Sequence, residues 1–263
     1  MFIPLFKVYL LSIMFLNIPF VISVLLHSIT SFLGLNYIHI TRQYEIHGID
    51  VSHHQRFIDW EKVAEHSQFK VSFTFLKATE GTTIRDTRFD TNWKESKEAG
   101  LVRGAYHFFS STSSPYTQAQ NYIRTVDLAG GDLAPVLDFE IHDNSKSPAL
   151  MRKNVEKWIS IVEKHYGCKV IIYTNTHIYN KYLRGYFKNN PLWIADYNFS
   201  NVSNLVGHPK LKFWQYTEKG RIMGINGNVD INAFLGDTKE FDALKIPEEN
   251  YEIELEVESV SSK

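Results

Sequence analysis

The stretch LAPVLDFEI at residues 133–141 places two acids, Asp138 and Glu140, at the end of an apolar run. A short apolar run of this kind is typical of a strand in a parallel sheet that is covered by helices. Seven similar runs occur on either side of it: IHGIDVS (46–52), KVSFTFLKATEG (70–81), LVRGAYHFF (101–109), KVIIYTN (169–175), PLWIADY (191–197), KFWQYT (212–217) and NVDINAF (228–234). The body of the chain therefore contains eight candidate strands.

Helical patterns fill most of the earlier gaps between these strands, at residues 87–99, 116–126 and 149–166. The third pattern has apolar residues at helical spacing, namely Val155, Trp158, Ile159 and Val162. The later connections are shorter or less helical. Eight strands with intervening helices over about 200 residues predict an α/β fold, a (β/α) barrel near the lower size limit whose last helices are reduced or missing.

The two ends of the chain differ from this body. Residues 8–26 carry no formal charge and are long enough to cross a bilayer about 30 Å thick. No A-x-A cleavage pattern is visible, so we expect residues 1–42 to form an uncleaved signal-anchor, or transmembrane segment, and a short linker. A buried N-terminal helix is the alternative. We expect residues 43–244 to form the single folded domain, and residues 245–263, with six Glu and two Lys, to form an acidic extension.

The composition excludes several classes of function. With 28 Lys and Arg against 29 Asp and Glu, the formal net charge is -1, and no positive field directs the chain to nucleic acid. The single Cys168 excludes an intrachain disulfide and a cysteine-based zinc site. Neither a phosphate-binding GxxxxGK[ST] loop nor a GxSxG nucleophile motif is present, so nucleotide binding and serine hydrolysis have no local signature.

Acids at the ends of the predicted strands are the first candidates for catalysis, because the active sites of such barrels lie at the C-terminal ends of the strands. Six acids follow apolar runs in this way: Asp50, Glu80, Asp138, Glu140, Asp196 and Asp230. Residues two apart on a strand point to one face, so Asp138 and Glu140 share a small volume. Their mutual repulsion raises one pKa, as cleavage of a glycosidic bond by a general acid requires. The D-x-E triplet alone is a weak signal.

The ordered set of motifs is more specific. GIDVS, KATEG, GAYHFF, PVLDFE, IIYT, LWIADY, FWQYT and NVDINAF occur in this order, and residues 47–236 resemble the glycoside hydrolase family 25 lysozymes, the Chalaropsis type. The resemblance implies an N-acetylmuramidase that hydrolyses the β-1,4 bond between N-acetylmuramic acid and N-acetylglucosamine in peptidoglycan. It also implies an irregular TIM-like (β/α)5β3 barrel that uses no metal and no cofactor. We expect the enzyme to be a monomer that acts outside the cytoplasm, either anchored in the membrane or secreted.

The same resemblance assigns roles to individual residues. It implies that Glu140 is the general acid/base, and that Asp138 is either the nucleophile or the group that stabilises a cation formed by the substrate's own acetamido oxygen. Asp50 and Asp230 match two further acids that fix the substrate and tune the central pair. Retention of configuration is favoured. We also expect substrate-binding residues among aromatic and polar side chains near the strand ends, namely Tyr106, Tyr173, Trp193, Asp196 and Gln215.

Several alternatives stay open. The aromatic residues can instead be core, and Asp196 or Glu80 can instead hold a Lys or Arg in a structural ion pair. Histidines near the strand ends, together with Asp138 and Glu140, could form a metal-dependent hydrolase site; they are His53, His54, His107 and His142. A glycosidase that acts on another N-acetylhexosamine polymer such as chitin is a further alternative. A family 18 chitinase is disfavoured, because its D-x-x-D-x-D-x-E pattern meets Leu133 and Val136 here. The last alternative is a non-catalytic wall-binding barrel.

Overall fold

The computed structural model describes residues 40–140, 147–197 and 208–248, which form a mixed α/β structure. The strands are β1 (His47–Val51), β2 (Val71–Glu80), β3 (Ile84–Arg85), β4 (Val102–Phe108), β5 (Val136–Asp138), β6 (Ile171–Asn175), β7 (Leu192–Ala195), β8 (Leu211–Gly220) and β9 (Val229–Phe234). The helices are α1 (Trp60–Ala64), α2 (Phe89–Glu98), α3 (Pro115–Thr125), α4 (Pro148–Tyr166), α5 (Thr176–Ile178) and α6 (Thr238–Asp242). Two further turns are a 3-10 turn (His53–Gln55) and a π-helical turn (Tyr179–Leu183).

Eight of these strands close into a barrel in the order β1, β2, β4, β5, β6, β7, β8, β9, and the pairing of β9 with β1 completes the circle. All neighbours from β1 to β8 are parallel, whereas β9 is antiparallel to both β8 and β1. A helix follows each of the first five barrel strands. The short β3 pairs with β2 outside the circle. All eight predicted strands are present, and the predicted (β/α)5β3 barrel is confirmed.

The long helix α4 shows how the local sequence sets the element boundaries. The Ser147 side chain accepts a hydrogen bond from the amide of Leu150, and Pro148 occupies the first turn, where its missing N–H is not needed. The helix ends at Gly167, whose φ of 70° lies in the left-handed region. The four apolar residues singled out from the sequence are all buried against the barrel. The predicted amphipathic helix is therefore confirmed.

Aromatic side chains fill the barrel interior below the C-terminal ends of the strands. Phe75 stacks on Trp193 with 4.4 Å between ring centroids, and Phe73 and Phe213 pack edge to face against the same cluster. A Cβ atom at Gly48 would lie 2.5 Å from the ring of Phe73, so only glycine allows this approach. This dense aromatic layer forms the floor beneath the side chains at the C-terminal ends of the strands.

The outer face of β4 carries a buried histidine, His107. Its Nδ1 lies 2.7 Å from Thr79 Oγ1 and its Nε2 lies 3.1 Å from Gln118 Oε1, while its ring stacks on Trp158. The amide oxygen of Gln118 can only accept, so Nε2 carries the proton and Nδ1 accepts from the threonine hydroxyl. Burial lowers the pKa of His107 to about 4. The imidazole is therefore held in its neutral form.

The buried state of His107 predicts a pH-dependent stability. A folded-state pKa below the usual value means that His107 contributes its full stabilisation above about pH 6.5 and loses it as the pH falls toward 4. We expect the difference in unfolding free energy between the wild type and His107→Gln, which does not titrate, to shrink by about 2.5 kcal/mol between pH 7.5 and pH 4.5. Urea unfolding at the two pH values measures this change. A difference that stays constant would contradict the assignment.

The predicted ends of the chain lie largely outside the described residues. This applies to the apolar segment 8–26 and to residues 249–263. Among the helices of the described ranges, none has the length and apolar character needed to cross a membrane. At the other end, Gly131 donates its amide to the carbonyl of Ile246, and Ile246 donates to that of Asp132. Hydrogen bonding to the barrel thus continues into the first residues of the predicted acidic extension.

Candidate active site

A cleft opens at the C-terminal ends of the parallel strands. A cavity of about 250 Å³ is lined by the predicted acids Asp50, Asp138, Glu140 and Asp230. A second cavity of about 820 Å³ shares Glu140 and Asp230 with the first and extends past Asp196. Glu140 therefore lies where the two adjoining cavities of the cleft meet.

The antiparallel pairing of β1 with β9 places Asp50 directly opposite Asp230. Side chains in such a position are about 5 Å apart, so two carboxylates would repel each other strongly. Burial raises the pKa of both carboxyls, and at Asp230 the charge of Asp50 and a hydrogen bond to it add to this effect. Two amide donors partly offset the effect of burial at Asp50. Asp230 therefore carries the proton of the pair, and its O–H donates a hydrogen bond to the ionised carboxylate of Asp50.

A hydrogen-bond network holds Asp50 in place from behind. Its Oδ2 accepts from Asn232 Nδ2 at 2.8 Å and from Gln215 Nε2 at 2.9 Å. Asn232 Oδ1 in turn accepts from the indole of Trp193 at 2.8 Å, and Gln215 Oε1 accepts from the hydroxyl of Tyr173 at 2.9 Å. Both amides are almost fully buried, so each is fixed by its partners on both sides. The network orients the Asp50 carboxylate toward the cleft.

The pair on β5 consists of one deep and one shallow acid. Asp138 is buried, and within the described part of the chain its Oδ1 has no hydrogen-bond partner. Burial raises its pKa well above the usual value, the charge of Glu140 adds to this, and Lys77 opposes it. Glu140 is partly exposed, and Phe139 between them points to the helices, where its ring contacts that of Tyr182. The pair therefore retains a proton at a pH where an isolated carboxyl has lost it.

The predicted substrate-binding residues take different positions. Tyr106 and Tyr173 line the smaller cavity, where burial raises the pKa of each phenol and the nearby carboxylates add to the effect. Asp196 lines the larger cavity and accepts from the Thr176 hydroxyl at 3.1 Å. Trp193 and Gln215 are at most 2% exposed and belong to the network that bonds to Asp50, although Trp193 also lines the smaller cavity. Their main contacts are thus with protein groups.

The comparisons with known proteins agree with this geometry. Residues 49–225 match the profile of glycosyl hydrolases family 25. The chain belongs to this family. It is 42% identical over 209 residues to the Escherichia coli K12 protein YegX, and the aligned residues cover 79% of this chain and 76% of YegX. It is 34% identical over 214 residues to Lysozyme M1 of Streptomyces globisporus, with 76% of this chain and 71% of that protein covered.

Solved structures lead to the same family. A family 25 glycosyl hydrolase from Bacillus anthracis superposes with a TM-score of 0.71 at 35% identity, covering 77% of this chain and 94% of that chain. The family identified from the sequence motifs is thus confirmed, and with it the assignment of the chain as a glycoside hydrolase.

The histidines do not assemble around the acids of the family 25 barrel. His107 points to the helices, on the face of β4 opposite to the cleft, and Nδ1 of His53 lies against Asp86 at 2.7 Å. His54 lines the cleft, and His142 lies outside the described residues. Across residues 40–140, 147–197 and 208–248, no three His, Cys, Asp or Glu side chains converge on a point where a metal could bind. The proposed metal-ligand set is therefore not formed by the residues described.

The sequence did not single out two residues of the candidate site. Asn232 is one of the two amide donors to Asp50, and Lys77 lines the cleft with its ammonium 2.6 Å from Glu80. The alternative of a structural ion pair is thus realised for Glu80. The signal for Asn232 was its position two residues after Asp230, on the same face of β9. Lys77 had no comparable signal, because only the fold brings its ammonium over the ring of Phe108 on β4, 4.8 Å from the ring centroid.

Proposed function

We propose that the chain is an N-acetylmuramidase that hydrolyses the β-1,4 bond between N-acetylmuramic acid and N-acetylglucosamine in peptidoglycan. The observation that carries the proposal is the convergence of carboxyls from β1, β5 and β9 in one cleft of a family 25 barrel. A relative named as a lysozyme, 34% identical to this chain, supports the choice of substrate. The two adjoining cavities also offer room for sugar units on both sides of Glu140.

Glu140 is the proposed general acid/base. It is the more exposed acid of the β5 pair and lies where the two parts of the cleft meet, so it can reach the glycosidic oxygen. Asp138 lies deeper in the cleft. We propose that the anomeric carbon of the reacting sugar binds directly above its carboxyl group. As positive charge develops on that carbon, it stabilises the ionised form of Asp138 and leaves the shared proton with Glu140. The proton then passes from Glu140 to the departing oxygen.

The remaining acids prepare this step. Asp50 is held ionised by two amides and Asp230 holds a proton, so this pair supplies one negative charge and one hydrogen-bond donor. We propose that they fix the N-acetyl group or hydroxyls of the reacting sugar. The configuration is retained, because either Asp138 or the acetamido oxygen of the substrate shields one face of the anomeric carbon until water arrives from the same side as the leaving group.

The test is to digest purified peptidoglycan with the full chain in a mild detergent. Mass spectrometry of the products should find N-acetylmuramic acid at the new reducing ends, and NMR during the first turnovers should find the β-anomer first. New reducing ends of N-acetylglucosamine, or faster cleavage of chitin oligomers than of peptidoglycan strands, would reject the proposed substrate. An α-anomer as the first product would reject retention of configuration but not the proposed substrate.

We infer that the enzyme works outside the cytoplasm, because peptidoglycan lies there and because residues 8–26 are apolar enough to act as an export signal or anchor. Because positively charged flanks of an apolar segment stay in the cytoplasm, Lys7 would remain there and the residues after the segment would lie outside the membrane. Cell fractionation with protease treatment of intact spheroplasts should degrade the barrel from outside. Protection of the barrel until the membrane is broken would contradict this orientation.

A further inference from the structure

We propose that His54 is a specificity-determining residue, which binds a carboxylate carried by the glycan strand next to the scissile bond. This inference rests on the proposed function, because it concerns the substrate of the same cleft. His54 lines the smaller cavity together with the acids and follows β1 by three residues. Its position at the rim, the construction of its turn and the charges around it support this role.

The turn that carries His54 is unusually well fixed. Ser52 and Gln55 form a capping box, in which Ser52 Oγ accepts from the His54 amide at 3.2 Å and Gln55 Oε1 accepts from the Ser52 amide at 2.9 Å. The next residue, Arg56, has a φ of 59° although it is not glycine. Such strained residues persist where the surrounding structure over-determines them, often beside functional sites. The backbone of the turn that carries His54 is therefore held in one conformation.

The neighbouring His53 packs against the ring of His54. The Asp86 side chain is 1% exposed, and its Oδ2 accepts from the backbone amide of His53 at 3.0 Å and lies 2.7 Å from the Nδ1 of the same residue. The Asp86 carboxylate is itself held by the amide of Arg88 at 2.9 Å. The His53 ring then lies 4.1 Å from the ring of His54, tilted by 36°. Asp86 and His53 are thus positioning residues for His54.

The charges of the cleft make His54 the place for an anion. The smaller cavity is lined by four acids that hold two protons between them, so two negative charges remain to repel a carboxylate of the substrate. Among the described residues of its lining, only Lys77 and His54 can carry positive charge, and the ammonium of Lys77 lies 2.6 Å from Glu80. An imidazole donates an N–H whether it is neutral or charged. His54 is therefore the basic side chain of this lining that can receive a carboxylate of the strand without first breaking an ion pair.

The chemistry of the glycan offers two sources of such a carboxylate. N-acetylmuramic acid carries a lactyl arm that ends in a carboxylate when no peptide is attached, and an attached peptide brings carboxylates of its own. Chitin, built from N-acetylglucosamine alone, has neither. The interaction would therefore favour muramic-acid-containing strands over chitin, beyond what the acids of the cleft require for the reaction.

The test compares matched substrates that differ only in this charge. Peptide-free glycan strands and peptide-bearing strands are each used as prepared and after conversion of their carboxylates to neutral methylamides. The full-chain variants are His54→Ala, His54→Gln and Asp86→Ala, with His165→Ala as a control on the exposed outer end of α4. Because a hydrogen bond to a charged group is worth about 1.5 to 3 kcal/mol, His54→Ala should lower kcat/KM about 10 to 100-fold on carboxylate strands.

The pattern across substrates decides the proposal. We expect the loss to appear mainly in KM, to fall below about twofold on the methylamide strands, and to be smaller for His54→Gln. It should recur in Asp86→Ala assayed well below the thermal midpoint of that variant, which falls because the N–H groups that bond to Asp86 are left unpaired. Loss confined to one kind of strand identifies the lactyl or the peptide carboxylate as the partner. An equal loss on charged and neutral strands, or no loss, overturns the proposal. If the wild type cleaves none of the strands, it is the proposed function that fails.

Discussion

Glu140→Gln should reduce the turnover of peptidoglycan at least about 1,000-fold, because general acid catalysis is worth roughly 10² to 10⁴ and the amide also removes the base of the second step. The substitution keeps the size and one acceptor oxygen of the side chain, and Glu140 is partly exposed, so folding should be unaffected. Binding of undigested strands should persist, since the cleft keeps its other contacts. Turnover from reducing-end release, together with a sedimentation assay for binding, measures both quantities.

The matched control for this variant is Glu156→Gln, which makes the same chemical change at an exposed position of α4. It should keep the wild-type turnover. If Glu140→Gln retained more than about a tenth of the activity, the acid role would move to Asp138, the other carboxyl of the pair, whose burial already favours its protonated form. If all activity were absent from the wild type but binding were present, the wall-binding alternative would replace the enzyme.

The fold was largely predictable from the sequence because parallel barrel strands are apolar on both faces. The eight apolar runs correspond to the eight barrel strands, and three helical patterns correspond to α2, α3 and α4. The boundaries were less predictable. The run 133–141 forms a strand only at Val136–Asp138, because the amide of Ala134 bonds to the carbonyl of Leu244 outside the barrel strands and Pro135 has no N–H. The two-residue β3 is too short to show the alternation of apolar and polar residues that marks a strand in a sequence.

The site was predictable only in part, for a different reason. The acids stand out because they end apolar runs, but the partners of each acid depend on which strands meet and in which register. Asp50 and Asp230 are far apart in the sequence and become direct neighbours only because β9 returns antiparallel to β1. The amides of Asn232 and Gln215 reach Asp50 from two different strands. No spacing along the chain reveals such a network.

Asn232→Leu should produce the second large effect, on both stability and pH dependence. The leucine fills a similar volume but leaves the indole N–H of Trp193 unpaired and removes one of the two amide donors to Asp50. Each buried group left unpaired costs about 1 to 3 kcal/mol, so the free energy of unfolding should fall by about 2 to 4 kcal/mol. Urea unfolding at neutral pH measures this loss.

The pH profile separates a role in positioning Asp50 from a merely structural role. Hydrogen bonds from Asn232 and Gln215 lower the pKa of Asp50 against the effect of burial, so removing one of them raises that pKa further. The ionised form of Asp50 is then lost at a higher pH, and the acid limb of kcat should move upward. Asn92→Leu is the matched control, because buried Asn92 also accepts from an indole, that of Trp60 at 3.4 Å. Asn92→Leu should lower the free energy of unfolding without moving the acid limb of kcat. An equal shift of the acid limb in both variants would contradict the proposed role of the network in positioning Asp50.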